Sequence, residues 1–459
     1  MPYTFFLKQK LDILVILLLC LTAPLFFYKL GQSSLVSWDE AWYAEISRNI
    51  LRTGEILQLS WNGKSFFDHP PVAFWITALI FKFAGISDFT ARAGSAVMGV
   101  LSLIFVYFLG KEMFNRSVGF ASAIALSSSF WFIYRARSGN LDIALTMFFL
   151  LTILLAIKAS RKKFFLLPCT LSLIFLVLTK TLVPFVIIPT LIVIFWKAKE
   201  YNISDFKLPS MLFLLVIGGW IIVQLLNNPA YLNRYFGIGL PGVNIATNYV
   251  ENFNLIKEYL HSGVGRWFWP GILSVFLSLI FCQRRFYILT AFFLTFFIPF
   301  IFSEKGHIWH LVPLHPIMIL SFFGFSYLFL EKILKKEILA STAIFAICAY
   351  FSFIQIRQIW YQIIDIPAYI SDEAILSKEA GKYSENFFID GDFVPTAVYY
   401  SGKNVDKIYG GGLAELFEEQ KGFVLITNQG RIDGAHISKD NYSIIKSDRD
   451  KILVISQDK

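Results

Sequence analysis

The chain has 459 residues, of which 56% are hydrophobic and only 16% charged, and its mean hydropathy is +0.60. This composition excludes a soluble multidomain protein, because the apolar residues form runs of roughly 15–22 residues, long enough to cross a bilayer. The formal net charge of +9 comes from Lys and Arg in short clusters between these runs, which is typical of membrane topology and argues against a nucleic-acid partner. The four cysteines lie inside apolar runs without pairing or metal-ligand spacing.

The first predicted element is a membrane-spanning helix at residues 11–30, which is longer than a signal-peptide core. An external loop follows at 31–91, in which the short apolar run 72–86 favours a helix lying at the membrane interface. Apolar runs of spanning length continue beyond it, so we predict an α-helical polytopic membrane protein with about 11–13 transmembrane helices. After the first span, these runs lie at 92–110, 118–134, 141–157, 164–179, 183–196, 208–226, 267–282, 286–302, 311–330 and 338–356.

The basic clusters predict the orientation. With a cytoplasmic amino terminus, the Lys and Arg at 158–163, 284–285 and 332–336 fall on the cytoplasmic side, as the positive-inside rule expects. An odd number of spans then places the carboxy-terminal residues outside. Their apolar residues occur in short pieces between turn signals, which favours short strands and a helix at 413–420. We therefore predict a transmembrane domain at 1–357 and a small external α/β domain at 366–459.

Two adjacent carboxylates, Asp39 and Glu40, follow the first span. A carboxylate near a low-dielectric boundary is costly unless it is paired, and its pKa can rise toward a value suited to proton abstraction. Asp39 is also well placed to cap the helix predicted after it. A helix cap and a catalytic carboxylate are both compatible with this position.

Two further polar clusters lie at external ends of the predicted spans. Asp68 and His69 precede a Pro-Pro pair, and such a pair can bind a metal, orient an imidazole or hydrogen-bond a turn. Arg135, Arg137 and Asp142 follow, where the positive-inside rule expects few arginines. Two arginines can clamp a phosphate, or they can hold external loops together in an ion-pair network.

Lys180 lies between two apolar runs, where its ammonium needs a counter-ion, and a lipid phosphate is one candidate. Alternatively, the side chain can snorkel to water. Further along the chain, His261 and Arg266 precede one span, and Lys305 and His310 precede another. A single histidine at a helix end is more often structural than a ligand. The concentration of these groups on one membrane side nevertheless predicts a functional surface.

Taken in order, these motifs resemble those of the ArnT-like and protein O-mannosyltransferase-like integral membrane glycosyltransferases. The pattern Asp-Glu-x-x-Tyr-Ala-Glu-Ile begins at Asp39, and the ordered matches extend over roughly residues 37–316. The other matches are Asn62-Gly63, the acidic-basic pair before Pro70-Pro71, Trp75, Ala91-Arg92, Ala136-Arg137 with Asp142, Lys180 before Pro184, the aromatic segment 261–270 and Lys305-Gly306 leading to Pro313.

The resemblance implies the GT-C fold in the bacterial inner membrane, with the active site and a small carboxy-terminal domain in the periplasm. It implies a polyprenyl (undecaprenyl) phosphate-linked sugar as donor, and no nucleotide cofactor. Asp39, Glu40 and Asp142 become the predicted catalytic carboxylates, while a divalent metal at Asp68 and His261 is a further expectation. The predicted donor-phosphate ligands are Arg137, Lys180, Arg266, His310, His69 and Lys305.

The predicted reaction is a single displacement that inverts the sugar and transfers it to lipid A or another envelope glycan. A protein acceptor is the alternative, and a lipid-linked-sugar transporter is a third hypothesis. A transporter predicts ionisable residues in mid-span, whereas here they gather at one membrane face. The chain departs from the aminoarabinose transferases at Trp42, at the Asp68-His69 pair and at His310, so the donor-phosphate site is expected to be rebuilt.

Overall fold

The computed structural model describes residues 12–196, 201–239, 249–302, 307–420 and 422–457. The chain forms two compact units. The helical unit comprises Met1–Lys29, Phe67–Ala73 and Ser95–Ile366, and the α/β unit comprises Leu30–Phe66, Phe74–Gly94 and Pro367–Lys459. Lys305, one of the predicted phosphate ligands, lies outside the described residues.

The α-helices of the described ranges are numbered in chain order. They are α1 Ile13–Phe27, α2 Asp39–Thr53, α3 Val72–Ala84, α4 Asp88–Met113, α5 Arg116–Leu126, α6 Phe130–Ala136, α7 Asp142–Ala159, α8 Leu166–Val177, α9 Ile188–Phe195, α10 Lys207–Asn227, α11 Tyr231–Gly239, α12 Tyr249–Val264, α13 Phe268–Leu277, α14 Arg284–Ile301, α15 Leu314–Leu334, α16 Glu337–Ile359, α17 Asp372–Ala380, α18 Val394–Ser401, α19 Gly412–Glu419 and α20 Gln429–Gly434.

The predicted apolar runs form helices. Seven helical stretches in the described ranges are long and apolar enough to cross a membrane, and α5 with α6 would make an eighth. Four shorter apolar helices accompany them, among them α1 and α3, which correspond to the predicted first span and interfacial helix. The architecture is therefore polytopic and α-helical, as predicted. Between the predicted spans 208–226 and 267–282 the structure has two further helices, α11 and α12.

One predicted span, at 118–134, is broken. Helices α5 and α6 are bent by 72° at the residues that separate them. The hydroxyls of Ser127 and Ser128 donate to the carbonyls of Ile124 and Ala125 at 2.7 Å, which satisfies carbonyl groups at the end of α5 and ends the regular helix. The break begins a new short helix, α6, which carries the arginines discussed below.

The carboxy-terminal residues of the α/β unit form a five-stranded sheet of order β4-β3-β5-β7-β6. The first three strands of this order are parallel and the last two join antiparallel. Alternate residues face two apolar cores: Phe387 and Ile389 on one side, Phe388 and Leu425 on the other. The predicted α/β character is confirmed, with the 413–420 helix found as α19. The strands are β3 Asn386–Ile389, β4 Val405–Lys407, β5 Phe423–Asn428, β6 Tyr442–Asp448 and β7 Lys451–Ser456.

The segment predicted as the first external loop contributes a small hairpin to the α/β unit. Strands β1 Ser60–Trp61 and β2 Lys64–Ser65 pair around Asn62 and Gly63, whose φ values of 51° and 72° suit a two-residue hairpin turn. The Asn62 side chain donates to the Val405 carbonyl and accepts from the Val405 N–H, both at 2.8 Å. The Asn-Gly pair therefore has a structural role: it turns the hairpin and fixes it to edge strand β4.

Candidate active site

A cluster of buried, paired charges lies in the helical unit and is centred on Asp142. This residue opens α7 and is 2% exposed. Its Oδ2 lies 2.7 Å from an Arg135 guanidinium nitrogen, and its Oδ1 lies 2.7 Å from Nζ of Lys180. Arg135 and Lys180 are themselves largely buried. Two cations thus share one anion in a low-dielectric environment, and the three side chains carry a net positive charge.

The local sequence explains this geometry. Arg135 lies in the last turn of α6, and a tight turn then leads to α7. In that turn the Asn140 side chain accepts from the Asp142 N–H at 2.9 Å and donates to the Arg135 carbonyl. The amide of Asn140 therefore fixes both ends of the turn and presents the Arg and Asp side chains to each other. Lys180 reaches the same place because it follows α8, which is antiparallel to α7.

Two histidines complete the cluster. His69 and His310 both lie close enough to Asp142 and Lys180 for their charges to interact. Burial, together with the nearby Lys180 ammonium, lowers the pKa of His69 to about 3, so its imidazole is uncharged at neutral pH. Beside His310, the ring of Trp309 lies 5.3 Å from the Arg135 guanidinium carbon and holds that cation in place.

Arg137, predicted as a phosphate ligand, contacts the end of α1, and its phosphate-binding role stays a prediction. Its guanidinium donates to the carbonyls of Leu25 at 3.0 Å and Tyr28 at 2.9 Å, at the end of α1. The last carbonyls of a helix lack intrahelical partners and attract cations, so Arg137 caps α1. Arg135, which the sequence placed in the same motif but not among the chosen ligands, is the arginine of the Asp142 cluster.

Glu40, predicted as a catalytic carboxylate, is a structural group of the α/β unit. It is 7% exposed and forms a two-point ion pair with Arg92, with N···O distances of 2.9 and 2.7 Å. It also accepts from the Val36 N–H at 2.9 Å. Both carboxylate oxygens are thus engaged by Arg92, which favours a structural role for Glu40, and its catalytic role stays a prediction.

Asp39 lies in the first turn of α2, within the α/β unit, and is partly exposed. The prediction that it caps this helix is wrong, because Trp38 occupies the cap position and Asp39 is the first helical residue. Trp38 has φ of 69° and ψ of −121°, a conformation that costs a non-glycine residue free energy. Such strain is typical of functional sites.

The remaining predicted residues lie elsewhere. Arg266 is exposed on the turn Gly265–Trp267 between α12 and α13, and no described contact joins its side chain to the Asp142 cluster. Asp68 is paired with the Arg234 guanidinium at 2.6 Å. His261 lies on α12 beside Glu258, at 4.0 Å. Within the described ranges no three His, Cys, Asp or Glu side chains come together as metal ligands. With Asp68 held by a cation, this pair does not fit a divalent metal.

Glu45 is a buried carboxylate that the sequence did not single out beyond its motif. It lies on α2 with 2% exposure and pairs with Arg48. Burial raises the pKa of Glu45 to about 7, although the two neighbouring arginines, Arg48 and Arg52, oppose the shift. The motif Tyr-Ala-Glu-Ile thus contains a group that titrates near neutral pH.

Known proteins match parts of this chain. Residues 68–223 match the sequence profile of the family described as dolichyl-phosphate-mannose-protein mannosyltransferase. An uncharacterized protein of Aquifex aeolicus (strain VF5) is 31% identical over 209 residues, which cover 44% of this chain and 42% of the relative. The undecaprenyl phosphate-alpha-4-amino-4-deoxy-L-arabinose arabinosyl transferase 2 of Sodalis glossinidius (strain morsitans) is 33% identical over 112 residues, covering 24% and 20%. The matches span less than half the length of either relative.

The fold has a solved counterpart. ArnT from Cupriavidus metallidurans, crystallised with undecaprenyl phosphate, superimposes with a TM-score of 0.74 over 96% of this chain and 97% of that one, at 15% identity. At this identity the likeness establishes the fold. The predicted resemblance to the ArnT-like GT-C glycosyltransferases is confirmed, and the chain has the ArnT fold over nearly its whole length.

Proposed function

We propose that this protein is a glycosyltransferase that takes its sugar from a polyprenyl phosphate carrier. One observation carries the proposal: two buried cations, Arg135 and Lys180, converge on Asp142 beside two histidines. A cluster of net positive charge among apolar helices suits a phosphate that stays at the membrane. The name of the arabinosyl transferase relative and the carrier lipid bound to ArnT support the same class of donor.

The cluster's chemical task is to stabilise the departing phosphate. When the bond between the sugar and the phosphate breaks, negative charge accumulates on the phosphate oxygens, and cations already fixed in a low-dielectric site lower the barrier. Lys180 gives one of its three N–H groups to Asp142 and makes no other hydrogen bond to the described residues, so it can donate to the phosphate. Asp142, predicted as catalytic, is here a positioning residue because Arg135 and Lys180 occupy its two oxygens.

We assign the catalytic carboxylate to Asp39, on the basis of its motif and its place at the start of α2. It accepts the proton of the attacking acceptor group, and a single displacement at the anomeric carbon inverts the sugar. Glu40 and Arg92 support it from within the same unit, since they fix the backbone segment that leads into the helix.

The proposed reaction takes place on the periplasmic face of the bacterial inner membrane. The positive-inside rule supports this orientation. The basic clusters follow the carboxy-terminal ends of α7 and α15, whereas Asp142 lies at the amino-terminal end of α7. The proposed acceptor is lipid A or another envelope glycan. A protein hydroxyl is the second candidate, because the family profile that matches residues 68–223 is that of a protein mannosyltransferase.

A binding experiment tests the phosphate site. Purified protein in detergent is titrated with undecaprenyl phosphate and followed by native mass spectrometry. Lys180→Ala and Arg135→Ala each remove a charged donor, worth about 1.5–3 kcal/mol, so we expect the Kd to rise about 10–100-fold. Lys382→Ala, which removes an exposed cation paired with Glu379, is the matched control. Wild-type affinity in both cluster variants would place the phosphate elsewhere.

A second experiment tests the catalytic carboxylate. Asp39→Asn preserves shape and removes the proton acceptor, so we expect normal membrane insertion and undecaprenyl phosphate binding but no transfer. Transfer is measured by mass spectrometry of lipid A and other envelope glycans from a gene-deletion strain that expresses each variant. Wild-type glycan modification with Asp39→Asn would refute this assignment while leaving the phosphate site intact.

A further inference from the structure

An apolar cavity lies in the helical unit, away from the Asp142 cluster. It is a groove of about 560 Å³ formed by α8, α9 and α10. Its wall is apolar except for Cys169 and two hydroxyl residues, Thr170 and Ser210. An apolar groove of this size, open at the surface of the helices, suits an apolar chain better than water. The wall includes Cys169, Leu173, Ile192, Phe195 and Leu214.

The groove lies beside the amino-terminal ends of α8 and α10. Its lining residues come from the first two turns of these helices and from the whole length of the short helix α9. These ends share one membrane face, because Lys163, just before α8, pairs with Asp205, just before α10, at 2.7 Å. Tyr201, ahead of α10, also donates to the carbonyl of Ala159, the last residue of α7.

That face is basic. Arg161, Lys162, Lys163 and Lys207 are all exposed there. Arg161 pairs with Glu112 and Lys163 with Asp205, whereas Lys162 and Lys207 have no carboxylate partner among the described residues. Two apolar side chains, Phe164 and Trp196, are 72% and 78% exposed nearby, as expected for residues in the head-group layer.

We propose that this groove binds an anionic phospholipid, with one acyl chain between α8, α9 and α10 and the phosphate held by Lys162 and Lys207. Basic pockets between transmembrane helices on the cytoplasmic side select anionic head groups in this way. The occupant is not the sugar carrier. The phosphate of the sugar carrier is assigned to the Asp142 cluster at the opposite end of α7. Because α7 has 18 residues, about 27 Å separate its two ends.

Native mass spectrometry of the full-length protein tests the proposal. The protein is delipidated in detergent and titrated with phosphatidylglycerol, and with phosphatidylethanolamine as the zwitterionic comparison, whose net charge is zero. Phosphatidylglycerol binds the wild type more tightly, and the double variant Lys162→Ala/Lys207→Ala weakens that binding roughly 30-fold. The matched control, Lys332→Ala/Lys336→Ala, removes the same charge from two exposed positions, one in the last turn of α15 and one just after it, and leaves the affinity unchanged.

Filling the groove provides an independent variant. Ser210 is one of its two polar lining positions, and Ser210→Phe places a ring in the space of the acyl chain, so it removes phospholipid binding as well. Helical content and thermal unfolding of each variant verify its fold, and Lys162→Ala/Lys207→Ala carries the test if Ser210→Phe does not fold. Undecaprenyl phosphate affinity stays at the wild-type value, which separates this site from the proposed donor site.

Two results overturn the proposal. One is equal phosphatidylglycerol affinity in the Lys162→Ala/Lys207→Ala variant and its control. The other is a carrier lipid in the groove, detected as undecaprenyl phosphate that Ser210→Phe displaces while phosphatidylglycerol binding is unchanged.

Discussion

Arg92 offers the sharpest test of how the loop before Asp39 is held. Its guanidinium makes two hydrogen bonds to Glu40 and three to the backbone carbonyls of Leu30, Ser33 and Ser34, at 2.7–3.2 Å. Arg92 is only 6% exposed. In Arg92→Lys the charge remains, but a single ammonium cannot reach a carboxylate and three separate carbonyls. The perturbation therefore loosens the backbone without leaving Glu40 unpaired.

The magnitude follows from the bonds that are lost. Hydrogen bonds to charged groups contribute about 1.5–3 kcal/mol each, and removing one partner of a buried pair costs about 3–5 kcal/mol. Losing the carbonyl contacts while retaining the ion pair should cost about 3 kcal/mol of local stability, and Arg92→Met should cost the larger amount. A local opening made easier by about 3 kcal/mol is populated about 100-fold more.

Hydrogen exchange measures this opening directly. The amides of Leu35 and Val36 are protected by the Tyr400 hydroxyl at 2.6 Å and by Glu40 at 2.9 Å. We expect a peptide covering residues 30–40 to exchange about 100-fold faster in Arg92→Lys, while peptides of β5 are unchanged. Lys382→Met, at an exposed ion pair, is the control and should change exchange little. Exchange within threefold of wild type at 30–40 would refute the role given to Arg92.

Three further outcomes are expected. The raised pKa of Glu45, about 7 against an ordinary 4.5, means that its stabilising contribution is complete below pH 4.5 and is lost as pH rises through 7. The Tm should therefore fall between pH 5 and 8, and an equal fall in Glu45→Gln would contradict this. Gly265→Ala should lower the Tm, since φ is +66° and a β-carbon would collide with Gln355 Oε1; an unchanged Tm argues against that packing. Trp38→Gly should relieve about 1–3 kcal/mol of backbone strain and raise the Tm, whereas a lower Tm would show that the indole contributes more.

The helical part of the fold was largely predictable because a helix that crosses a bilayer needs a run of about 20 apolar residues, which is visible in the sequence. Runs of apolar residues marked the spans, and turn signals with short apolar pieces marked the sheet of the α/β unit. The bend between α5 and α6 was not predictable from hydropathy, since it depends on serine hydroxyls that bond to backbone carbonyls. The grouping of the first external loop with the carboxy-terminal sheet depends on contacts such as Asn62 with Val405, which are 343 residues apart.

The candidate site was predicted as a set of motifs, but the roles within each motif were not. Arg135 and Arg137 are two residues apart at the end of a short helix, so they point in different directions, one to Asp142 and one to the end of α1. Only the packed structure tells them apart. Likewise, Asp39 and Glu40 are adjacent in the sequence, and only the structure shows that Arg92 pairs with Glu40. Whether Asp39 is catalytic remains a prediction.

The pair between Asp142 and Lys180 also bears on how the protein enters the membrane. Asp142 opens α7 and Lys180 follows the antiparallel helix α8, and each charge alone would oppose insertion of its helix, by as much as about 2.5–3.5 kcal/mol at the bilayer centre. Joined at 2.7 Å they enter as a neutral pair. We therefore expect α7 and α8 to insert together as a helical hairpin, because the pairing of Asp142 with Lys180 lowers the cost of moving both helices into the bilayer.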